Sequence, residues 1–522
     1  MKRKPFSDDR TVILLALIWF VLNLFVLQSY PFVHTDEAWL SGLTRSMMEE
    51  KSFSATEDFF DLYPRHPHAV KIIYHLLQIP FIALFGYGIY SVRLLSLLAG
   101  ACAIPLFFRL LKNINPDGNG KSLLLITALM AVDVQFLYGT HMARQESLLL
   151  LMEISILLIL TERDLSPSRR GLIAGLITGL AAGIHPNAFI IAWPAGLYLL
   201  ISIGLKKRPL KEGLLFIGGA AFPALLVVGL SYSFNPNFIA DYRAYGEPLG
   251  ILEPADVKWL RLPGFYRKLF FRVGGTYHTT PLYLQTILFP LLLAADFFRN
   301  RNWLALSGFI GFNAALVIIG KYSQPSIIFI LPFYYISAAG ALKVEEEKKG
   351  ARRQRRIPIY LSAGLLAATL TFSLIDMGDE REPFSSFIEK IGIHVPSDAG
   401  LVGNLYGEYI TGEEGLFYDW RNLSHLRERG ISLEDYLTDR SVEYIMLTDE
   451  LDFIYRNRPV WNVLYGNLAH WYPSMLELME KKGTLIEEFD SPGYGVRIAP
   501  YRYKREWKVR IYRFDQSDSI SE

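Results

Sequence analysis

The stretch from Thr11 to Leu40 reads TVILLALIWFVLNLFVLQSYPFVHTDEAWL, and it contains the two features that decide the fold. Residues 11–27 are apolar almost throughout and long enough to cross a bilayer as a helix. A polar tetrapeptide, His34-Thr35-Asp36-Glu37, follows where such a helix leaves the membrane. Two adjacent carboxylates at a bilayer edge are unfavourable unless they are solvated or paired, so they indicate a candidate site. The structural alternative is a solvated loop in which Asp36 caps a helix over residues 38–48.

The composition places the chain among polytopic membrane proteins. Of its 522 residues, 51% are hydrophobic and 14% aromatic, and the apolar residues form blocks of membrane-spanning length. The net charge of +2 gives no reason to expect a nucleic-acid partner. Cys102 is the only cysteine, which excludes an intrachain disulfide and a cysteine-based metal site. A lone cysteine in an apolar run is typical of a small packing residue.

The apolar blocks predict eleven membrane helices. Basic residues cluster in every second connection between them, from Lys2-Arg3-Lys4 at the start to the cluster at 348–356. Because basic residues collect on the cytoplasmic side, this alternation predicts a multi-pass protein of the cell (inner) membrane with a cytoplasmic N-terminus. One helix more or fewer would put the later basic clusters outside. The predicted helices cover residues 11–30, 89–111, 121–139, 146–161, 171–187, 188–205, 211–232, 280–298, 303–319, 324–342 and 357–375.

The first external segment, residues 31–88, contains an apolar stretch that is not counted among these helices. Lys71, His75 and Gln78 recur there at helical spacing and form one polar stripe. Such a stripe on an apolar helix is typical of a helix that lies in the membrane interface. The alternative, a spanning helix, would invert the topology of everything downstream.

A second external segment, the loop 233–279, is long, aromatic and basic. Its cations include Arg267 and Arg272. Basic side chains at a membrane surface suit either anionic lipid headgroups or a lipid-phosphate ligand. Both interpretations stay open on the sequence.

From about Asp376 the composition changes to short apolar runs separated by charges and turn residues. This pattern predicts a soluble α/β domain over residues 376–522, after a transmembrane domain over residues 1–375. Because eleven helices precede it, this domain is predicted to be extracytoplasmic. The predicted strands lie at 400–403, 444–447 and 495–498, and the predicted helices at 421–429 and 475–482.

Polar residues recur at the predicted external ends of the helices. Carboxylates there supply a general base, and cations supply a clamp for phosphate. Each residue alone also suits an ordinary loop or a snorkelling side chain, and only their accumulation on one face indicates a site. The set comprises Asp36, Glu37, Arg65, His66, His68, His141, Arg144, Glu146, His185, Lys321 and Tyr322.

These motifs resemble the GT-C superfamily of membrane glycosyltransferases, closest to its protein O-mannosyltransferase and aminoarabinose-type lipid A transferase branch. The resemblance covers most of the chain in architecture, although each motif is short. The Trp-Trp-Asp-Tyr-Gly signature of oligosaccharyltransferases is absent from the sequence, which argues against whole-glycan transfer to asparagine. The matching motifs are Asp36-Glu37-Ala38, Arg65-His66-Pro67-His68, Ser91-Val92-Arg93-Leu94, His141-Met142-Ala143-Arg144-Gln145-Glu146 and Gly320-Lys321-Tyr322.

The resemblance implies that a single sugar is transferred from a polyprenyl-phosphate donor to an extracytoplasmic acceptor, with inversion at the anomeric carbon. By position, Asp36 resembles the catalytic base, and Glu37 assists it or shapes the site. Lys321 resembles the residue that binds the donor phosphate, and Arg144 and Glu146 match the second acidic-loop motif of the family. The other side chains expected at the donor phosphate are those of Arg144, Tyr322, Arg267 and Arg272.

The histidine motif departs from the family pattern. His68 stands at the third position of a His-Pro-Pro-type motif, which leaves the roles of His66 and His68 open. Arg65 and His68 are candidates for binding the acceptor, whether lipid, glycan or protein. His66, Glu146 and His185 are instead a candidate set for a divalent metal ion, the one cofactor considered.

Two functions of other classes stay open on the sequence. A flippase or transporter of lipid-linked sugars predicts charged residues in the middle of membrane helices. The predicted helices contain few such residues, and the exceptions are Asp133 and Glu153. A non-catalytic membrane scaffold predicts that the change Asp36→Asn has no effect.

Overall fold

Helices form most of the chain. The computed structural model describes residues 6–116, 118–247, 250–273, 275–277, 280, 282–320, 322–342, 357–378, 382–462 and 464–515. Within these ranges, sixteen α-helices lie between residues 6 and 378. They are α1 (Phe6–Leu24), α2 (Thr35–Glu49), α3 (Ile72–Phe85), α4 (Ile89–Ile114), α5 (Gly120–Ala131), α6 (Val134–His141), α7 (Glu146–Thr161), α8 (Pro167–Leu180), α9 (Ala188–Gly204), α10 (Leu210–Phe234), α11 (Phe238–Gly246), α12 (Ala255–Phe270), α13 (Tyr283–Asn300), α14 (Trp303–Ile319), α15 (Leu331–Ala341) and α16 (Ile357–Gly378).

A helix lies at each of the eleven positions that the apolar blocks predict. Among the described residues, α4 and α10 are long and apolar enough by themselves to cross a bilayer, and the bent pair α5–α6 would be a third span. The total of eleven spans therefore stays a prediction from the sequence. The basic clusters at 2–4 and 348–356, which carry much of the orientation argument, lie outside the described residues.

The third predicted helix, 121–139, is not continuous. The chain bends by 54° between α5 and α6. Asp133 caps α6 by accepting a hydrogen bond from the Gln135 amide at 2.8 Å, and the Tyr335 hydroxyl donates to its other oxygen at 2.5 Å. The Trp19 indole donates to the free carbonyl of Ala131 at 2.7 Å. The break is tolerated because neighbouring helices supply partners for the backbone groups that it releases.

Helices α8 and α10 pack with their backbones almost in contact. Gly171, Gly175 and Gly179 repeat every fourth residue along one face of α8. A Cβ atom at these positions would lie only 2.2 to 2.3 Å from carbonyl oxygens of α10. Small residues at this spacing let two membrane helices approach closely, so this pair needs no interlocking large side chains.

The polar stripe predicted on α3 faces another helix and not the lipid headgroups. His75 and Gln78 are 1% and 0% exposed. The Thr44 hydroxyl of α2 donates to Gln78 at 2.6 Å and lies 2.8 Å from the His75 ring. The helix itself is confirmed, but its polar residues bind α2 to α3. The predicted loop 233–279 contains two further helices, α11 and α12.

A five-stranded sheet forms the centre of the C-terminal part, as predicted. The strand order is β2-β1-β3-β5-β4, with β2, β1 and β3 parallel and β5 antiparallel to both of its neighbours. The strands are β1 (Gly400–Gly403), β2 (Leu416–Asp419), β3 (Val442–Thr448), β4 (Gly483–Asp490) and β5 (Lys508–Phe514). The helices around it are α17 (Phe384–Gly392), α18 (Glu408–Thr411), α19 (Leu426–Arg429), α20 (Leu433–Asp439), α21 (Asp449–Asn457) and α22 (Tyr472–Lys482).

The strand predicted at 495–498 is wrong. This segment is a loop, because the backbone amides of Arg497 and Ile498 both donate to the Glu450 carboxylate, at 2.9 and 3.1 Å. A side chain thus takes the hydrogen bonds that a neighbouring strand would otherwise accept. The predicted strands that became β1 and β3 are confirmed.

The sheet domain and the start of the chain share one hydrophobic core. Phe32, Val33 and Phe59 pack in the same cluster as Phe387 and Phe417. In addition, the Phe59 carbonyl accepts hydrogen bonds from Asp419 and Asn422, at 3.2 and 2.8 Å. The division at residues 375 and 376 stays a prediction, since α16 ends at Gly378 and both parts build this core.

Candidate active site

The tetrapeptide His34-Thr35-Asp36-Glu37 forms the start of α2. His34 is the cap of this helix: its ring accepts a hydrogen bond from the Asp36 amide at 3.0 Å, and its own amide donates to Glu37 at 2.9 Å. This reciprocal arrangement is a capping box, with histidine in place of serine or threonine. The cap is therefore His34, and the carboxylate of Asp36 is left to point elsewhere.

The Asp36 carboxylate lies at the meeting point of three chain segments. It accepts hydrogen bonds from Arg144, in the connection between α6 and α7, and from the Tyr277 hydroxyl. Arg144 also donates to the Tyr277 hydroxyl, so the three groups form a closed triangle. The Asp36 side chain is 29% exposed, whereas Arg144 is 8% exposed. The carboxylate is thus held by strong donors and still reaches solvent.

Tyr277 stacks on the cap of α2. The rings of His34 and Tyr277 are 4.0 Å apart and 10° from parallel, and the His34 ring lies 3.0 Å from the Thr276 hydroxyl. The segment around Gly275 is also attached to the sheet domain, where the Ala499 amide donates to the Gly275 carbonyl at 3.1 Å. One wall of the site is therefore a loop that both parts of the molecule hold in place.

Arg144 is itself fixed by Glu146, the first residue of α7. Its guanidinium donates to both carboxylate oxygens of Glu146, at 3.2 and 3.1 Å. Glu146 is 1% exposed and lies at a helix N-terminus. A bidentate pair orients the guanidinium plane, so Glu146 aims Arg144 at Asp36.

Glu37 forms a second, fully buried ion pair. It is 0% exposed, and both of its oxygens accept hydrogen bonds from Arg93 of α4, at 2.7 and 2.8 Å. It also accepts from the amides of His34 and Ala143, at 2.9 and 2.7 Å. Arg93 in turn donates to backbone carbonyls of residues 27, 30 and 31. This pair ties α1, α2 and α4 together at the base of the site.

Electrostatics keep Asp36 ionised. Burial alone would favour the neutral acid, but the His34 ring, the Arg144 guanidinium and the Tyr277 hydroxyl hold the pKa of Asp36 well below its usual range. Burial likewise lowers the pKa of His34, although the neighbouring carboxylate opposes this effect. The site therefore presents a carboxylate anion, next to a guanidinium, at any pH near neutrality.

Comparisons with known proteins match this chain in both sequence and fold. Residues 66–232 match the family model for dolichyl-phosphate-mannose-protein mannosyltransferases. The crystal structure of ArnT from Cupriavidus metallidurans bound to undecaprenyl phosphate superposes with a TM-score of 0.58 at 13% identity, covering 97% of this chain and 98% of ArnT. The chain has the fold of the GT-C membrane glycosyltransferases. The family match over residues 66–232 and the fold both agree with the resemblance seen in the sequence.

An archaeal GT-C protein shows the same fold. The oligosaccharyltransferase AglB of Archaeoglobus fulgidus, in complex with an inhibitory peptide and a dolichol-phosphate, superposes with a TM-score of 0.52 at 12% identity. The match covers 93% of this chain and 74% of AglB. A comparison with proteins of curated function gave no match.

Only some of the residues predicted to bind the donor phosphate lie near Asp36 in the structure. Arg144 contacts it directly. Tyr322 donates instead to the Lys258 carbonyl at 2.5 Å, and Arg272 pairs with Asp376 at 3.3 Å. Arg267 is exposed on α12. Lys321 lies outside the described residues.

The three residues proposed as metal ligands are held by other partners. His66 lies 3.6 Å from Asp241, the ring of His185 accepts a hydrogen bond from the Asn187 amide at 2.9 Å, and Glu146 is paired with Arg144. In the part of the chain that the structure describes, no three His, Cys, Asp or Glu side chains come together as a metal site. A Zn complex has been crystallised for the Archaeoglobus fulgidus oligosaccharyltransferase, but the residues described here do not fit such an ion.

The two candidates for binding the acceptor lie in the loop between α2 and α3. Arg65 forms a bidentate pair with Glu57, at 2.8 Å for both hydrogen bonds, and its guanidinium lies over the rings of Trp39 and Tyr245. Burial lowers the pKa of His68 to about 4, and its Nδ1 atom is buried without a partner in the described chain. His68 is therefore neutral near pH 7.

Sequence reasoning missed four side chains at this site. His34 stood next to the carboxylates but was given no role, although a histidine before an acidic first turn suits a cap. Arg93 lies in the motif Ser91-Val92-Arg93-Leu94, which matches the family pattern but indicates no role for the arginine. Tyr277 and Arg497 follow no local pattern, because only the folded chain brings the loop 233–279 and the sheet domain to α2.

Proposed function

We propose that the protein is a glycosyltransferase that transfers a single sugar from a polyprenyl-phosphate donor to an extracytoplasmic acceptor, with inversion. The observation that carries this proposal is the ionised, partly exposed carboxylate of Asp36 at the start of α2. Family match and fold both support a GT-C activity. The structure of ArnT was solved with undecaprenyl phosphate and that of AglB with a dolichol-phosphate, which supports a lipid phosphate as part of the donor.

In this proposal Asp36 is the general base. An acceptor hydroxyl that reaches Asp36 replaces the Tyr277 hydroxyl as its donor and gives up its proton as the oxygen attacks the anomeric carbon. The bond from that carbon to the phosphate oxygen breaks, and polyprenyl phosphate leaves. Attack from the face opposite the phosphate inverts the configuration. Arg144 then stabilises the charge that develops at the site, because it is fixed in advance by Glu146.

The location follows from the same proposal. A donor with a polyprenyl tail lies in the membrane, and its sugar reaches the water at the surface where Asp36 follows α1. The positive-inside pattern of the sequence supports the extracytoplasmic side of the inner membrane as the location of this surface. The acceptor is a lipid, a glycan or a protein, and membrane lipid surrounds the helices.

The test compares purified wild type with Asp36→Asn and with Asp452→Asn, which changes an exposed carboxylate on α21. Each is assayed for sugar transfer from a panel of polyprenyl-phosphate sugars, with membrane extract as acceptor. We expect the activity of Asp36→Asn to fall by at least about 100-fold, the scale of general-base catalysis, with an unchanged melting temperature. Equal transfer by all three proteins would remove Asp36 from the mechanism.

One observation favours the second candidate, a transporter of lipid-linked sugars. Glu153 of α7 is 1% exposed, and neither carboxylate oxygen has a hydrogen-bond partner in the described chain. Asp133, the other intramembrane acid, is used to cap α6. If the protein is a transferase, Glu153→Gln should leave the movement of labelled lipid-linked sugar across vesicle membranes unchanged. A loss of such movement, with no transfer by the wild type, would establish the transporter.

A further inference from the structure

Three arginines of the sheet domain are buried beside the Asp36 site. Arg421, Arg497 and Arg502 are 6%, 5% and 7% exposed. Burying a guanidinium is unfavourable unless a carboxylate or another anion compensates its charge. Of the three, Arg421 has a carboxylate within 4 Å among the described residues, that of Asp419 at 3.6 Å, and Arg497 interacts at longer range with Glu450 and Asp36.

Two of these guanidinium groups converge on one acceptor. Arg421 Nε and Arg497 Nη1 both donate to the Leu464 carbonyl, each at 3.2 Å. Two positive charges that share a single neutral oxygen repel each other. The Glu450 carboxylate accepts hydrogen bonds from the backbone amides of Arg497 and Ile498 and from the Tyr465 hydroxyl, rather than from the Arg497 guanidinium group. Neither guanidinium group thus donates a hydrogen bond to a carboxylate among the described residues.

Several of their N–H groups have no partner. Arg421 Nη1, Arg497 Nε, and both Nε and Nη1 of Arg502 are buried without a hydrogen bond in the part of the chain described. Stacking offers a structural explanation, because the guanidinium groups lie over aromatic rings: Arg421 over Trp39 at 4.7 Å and Arg502 over Phe32 at 4.4 Å. Stacking stabilises the charge but leaves the in-plane donors unused, and these are the donors that bind oxyanions.

The arginines are placed at the same site as the carboxylate. Trp39, under Arg421, is one helical turn after Asp36 on α2. Arg497 contributes to the electrostatics of both His34 and Asp36. The segment that carries Arg497 and Arg502 also holds the Tyr277 loop through the hydrogen bond from Ala499 to Gly275. An anion bound here would therefore lie next to the group that receives the acceptor hydroxyl.

We propose that Arg421, Arg497 and Arg502 form a binding site for a phosphate group of the substrate that meets Asp36. The shape of the guanidinium fork matches a phosphate oxygen pair, and three guanidinium groups match its charge. The inference rests on the proposed function in assigning this phosphate to a substrate, which is either the lipid-linked donor or a phosphate-bearing acceptor. In both cases the sheet domain binds substrate and is not only a support for the membrane helices.

The test measures the melting temperature of the full-length protein in detergent, with inorganic phosphate against chloride at equal ionic strength. Phosphate should raise the melting temperature of the wild type, and Arg497→Gln and Arg421→Gln should each lose this rise. Arg456→Gln, which changes an exposed arginine of the same domain, should keep it. A wild type that responds equally to both anions, or an Arg497→Gln protein with the full phosphate response, would overturn the site.

A second measurement identifies the source of the phosphate. Binding of undecaprenyl phosphate should weaken by at least about tenfold in Arg497→Gln if the site holds the donor, as for loss of a charge-assisted hydrogen bond. Unchanged binding of this lipid, with the response to inorganic phosphate lost, would assign the site to the acceptor. If Arg497→Gln fails to fold, Arg497→Lys keeps the charge without the fork and should show a reduced phosphate response.

These measurements are independent of turnover. A specific phosphate response without any sugar transfer would keep the site and remove the proposed function. Transfer activity without a phosphate response would do the opposite. A purely structural role for the arginines predicts lower melting temperatures in all the variants and an unchanged response to phosphate.

Discussion

Asp36 and Glu37 are adjacent carboxylates in the first turn of one helix, yet they have opposite surroundings. Glu37 is 0% exposed and accepts hydrogen bonds from a buried arginine and two backbone amides. Asp36 is 29% exposed, and its partners, Arg144 and Tyr277, lie on segments that the rest of the chain positions. Successive helical residues point about 100° apart, so one carboxylate faces the helix bundle and the other faces the site.

This difference separates a structural acid from a reactive one. Both carboxylate oxygens of Glu37 already accept hydrogen bonds from groups of the protein, so a substrate hydroxyl could bind there only by breaking contacts that hold the fold. Asp36 has a partner, the Tyr277 hydroxyl, that a substrate hydroxyl can replace with the same geometry. We therefore propose that Glu37 positions the start of α2 and that Asp36 carries out the chemistry.

The largest expected effect is on stability, from Glu37→Gln. This change leaves the fully buried charge of Arg93 without its carboxylate, and breaking such a pair costs about 3–5 kcal/mol. We expect a melting temperature lower by many degrees, or no folded protein. Asp36→Asn, measured beside it by thermal unfolding in detergent, should change the melting temperature little. Equal losses in the two proteins would mean that the two carboxylates have the same structural role.

A third buried acid, Glu408 of the sheet domain, extends the comparison to pH. It pairs with Arg45 of α2 at 2.9 Å, and burial raises the pKa of Glu408 to about 7 despite that pair. The folded state therefore holds its proton up to a higher pH than the unfolded state does. Stability is full below about pH 4.5 and falls, by about 3 kcal/mol, as the pH rises to about 7.

Glu408→Gln should flatten this dependence. Melting temperatures measured from pH 4.5 to pH 8 in detergent should fall with rising pH in the wild type and change less in the variant. As a control, Glu480→Gln alters an exposed acid on α22 and should leave the curve unchanged. A wild-type curve that rises over this range would contradict the assignment.

The smallest effect is expected from Tyr277→Phe. The hydroxyl helps to hold the pKa of Asp36 low, so its loss should raise that pKa. A base works above its pKa, and the acid limb of the rate profile should therefore move to higher pH. Transfer rates measured across acidic pH check this, with Tyr512→Phe in β5 as the control. A profile that moves to lower pH, or not at all, would show that Asp36 is not the titrating base.

Local patterns predicted the helices well because apolar blocks of fixed length are a direct property of the sequence. The helix at each predicted position and the sheet domain follow from such patterns. The break at Asp133 did not, because it depends on Trp19 and Tyr335 from distant helices. The strand predicted at 495–498 failed for the same reason, since Glu450 takes its amides.

The site was predictable only in part. Asp36 could be proposed because two acids after a predicted membrane helix are unusual in themselves. The roles of Glu37 and Asp36 could not be separated, since the sequence does not show which of them meets Arg93. Tyr277 and Arg497 lie some 240 and 460 residues further along the chain, and no local pattern connects them to α2.

The contact between Phe59 and the segment Asp419–Asn422 has a consequence for the order in which the site is assembled during synthesis. The N-terminal loop leaves the ribosome some 360 residues before its partner. Chains fold from the N-terminus as they are made. The loop that carries Phe59 therefore has no hydrogen bond to Asp419 or Asn422 while most of the helix bundle assembles. The Ala499 amide, which holds the Tyr277 loop, is made later still. In a nascent chain, the wall of the site that Tyr277 forms is therefore held in place only after residue 499 has been made.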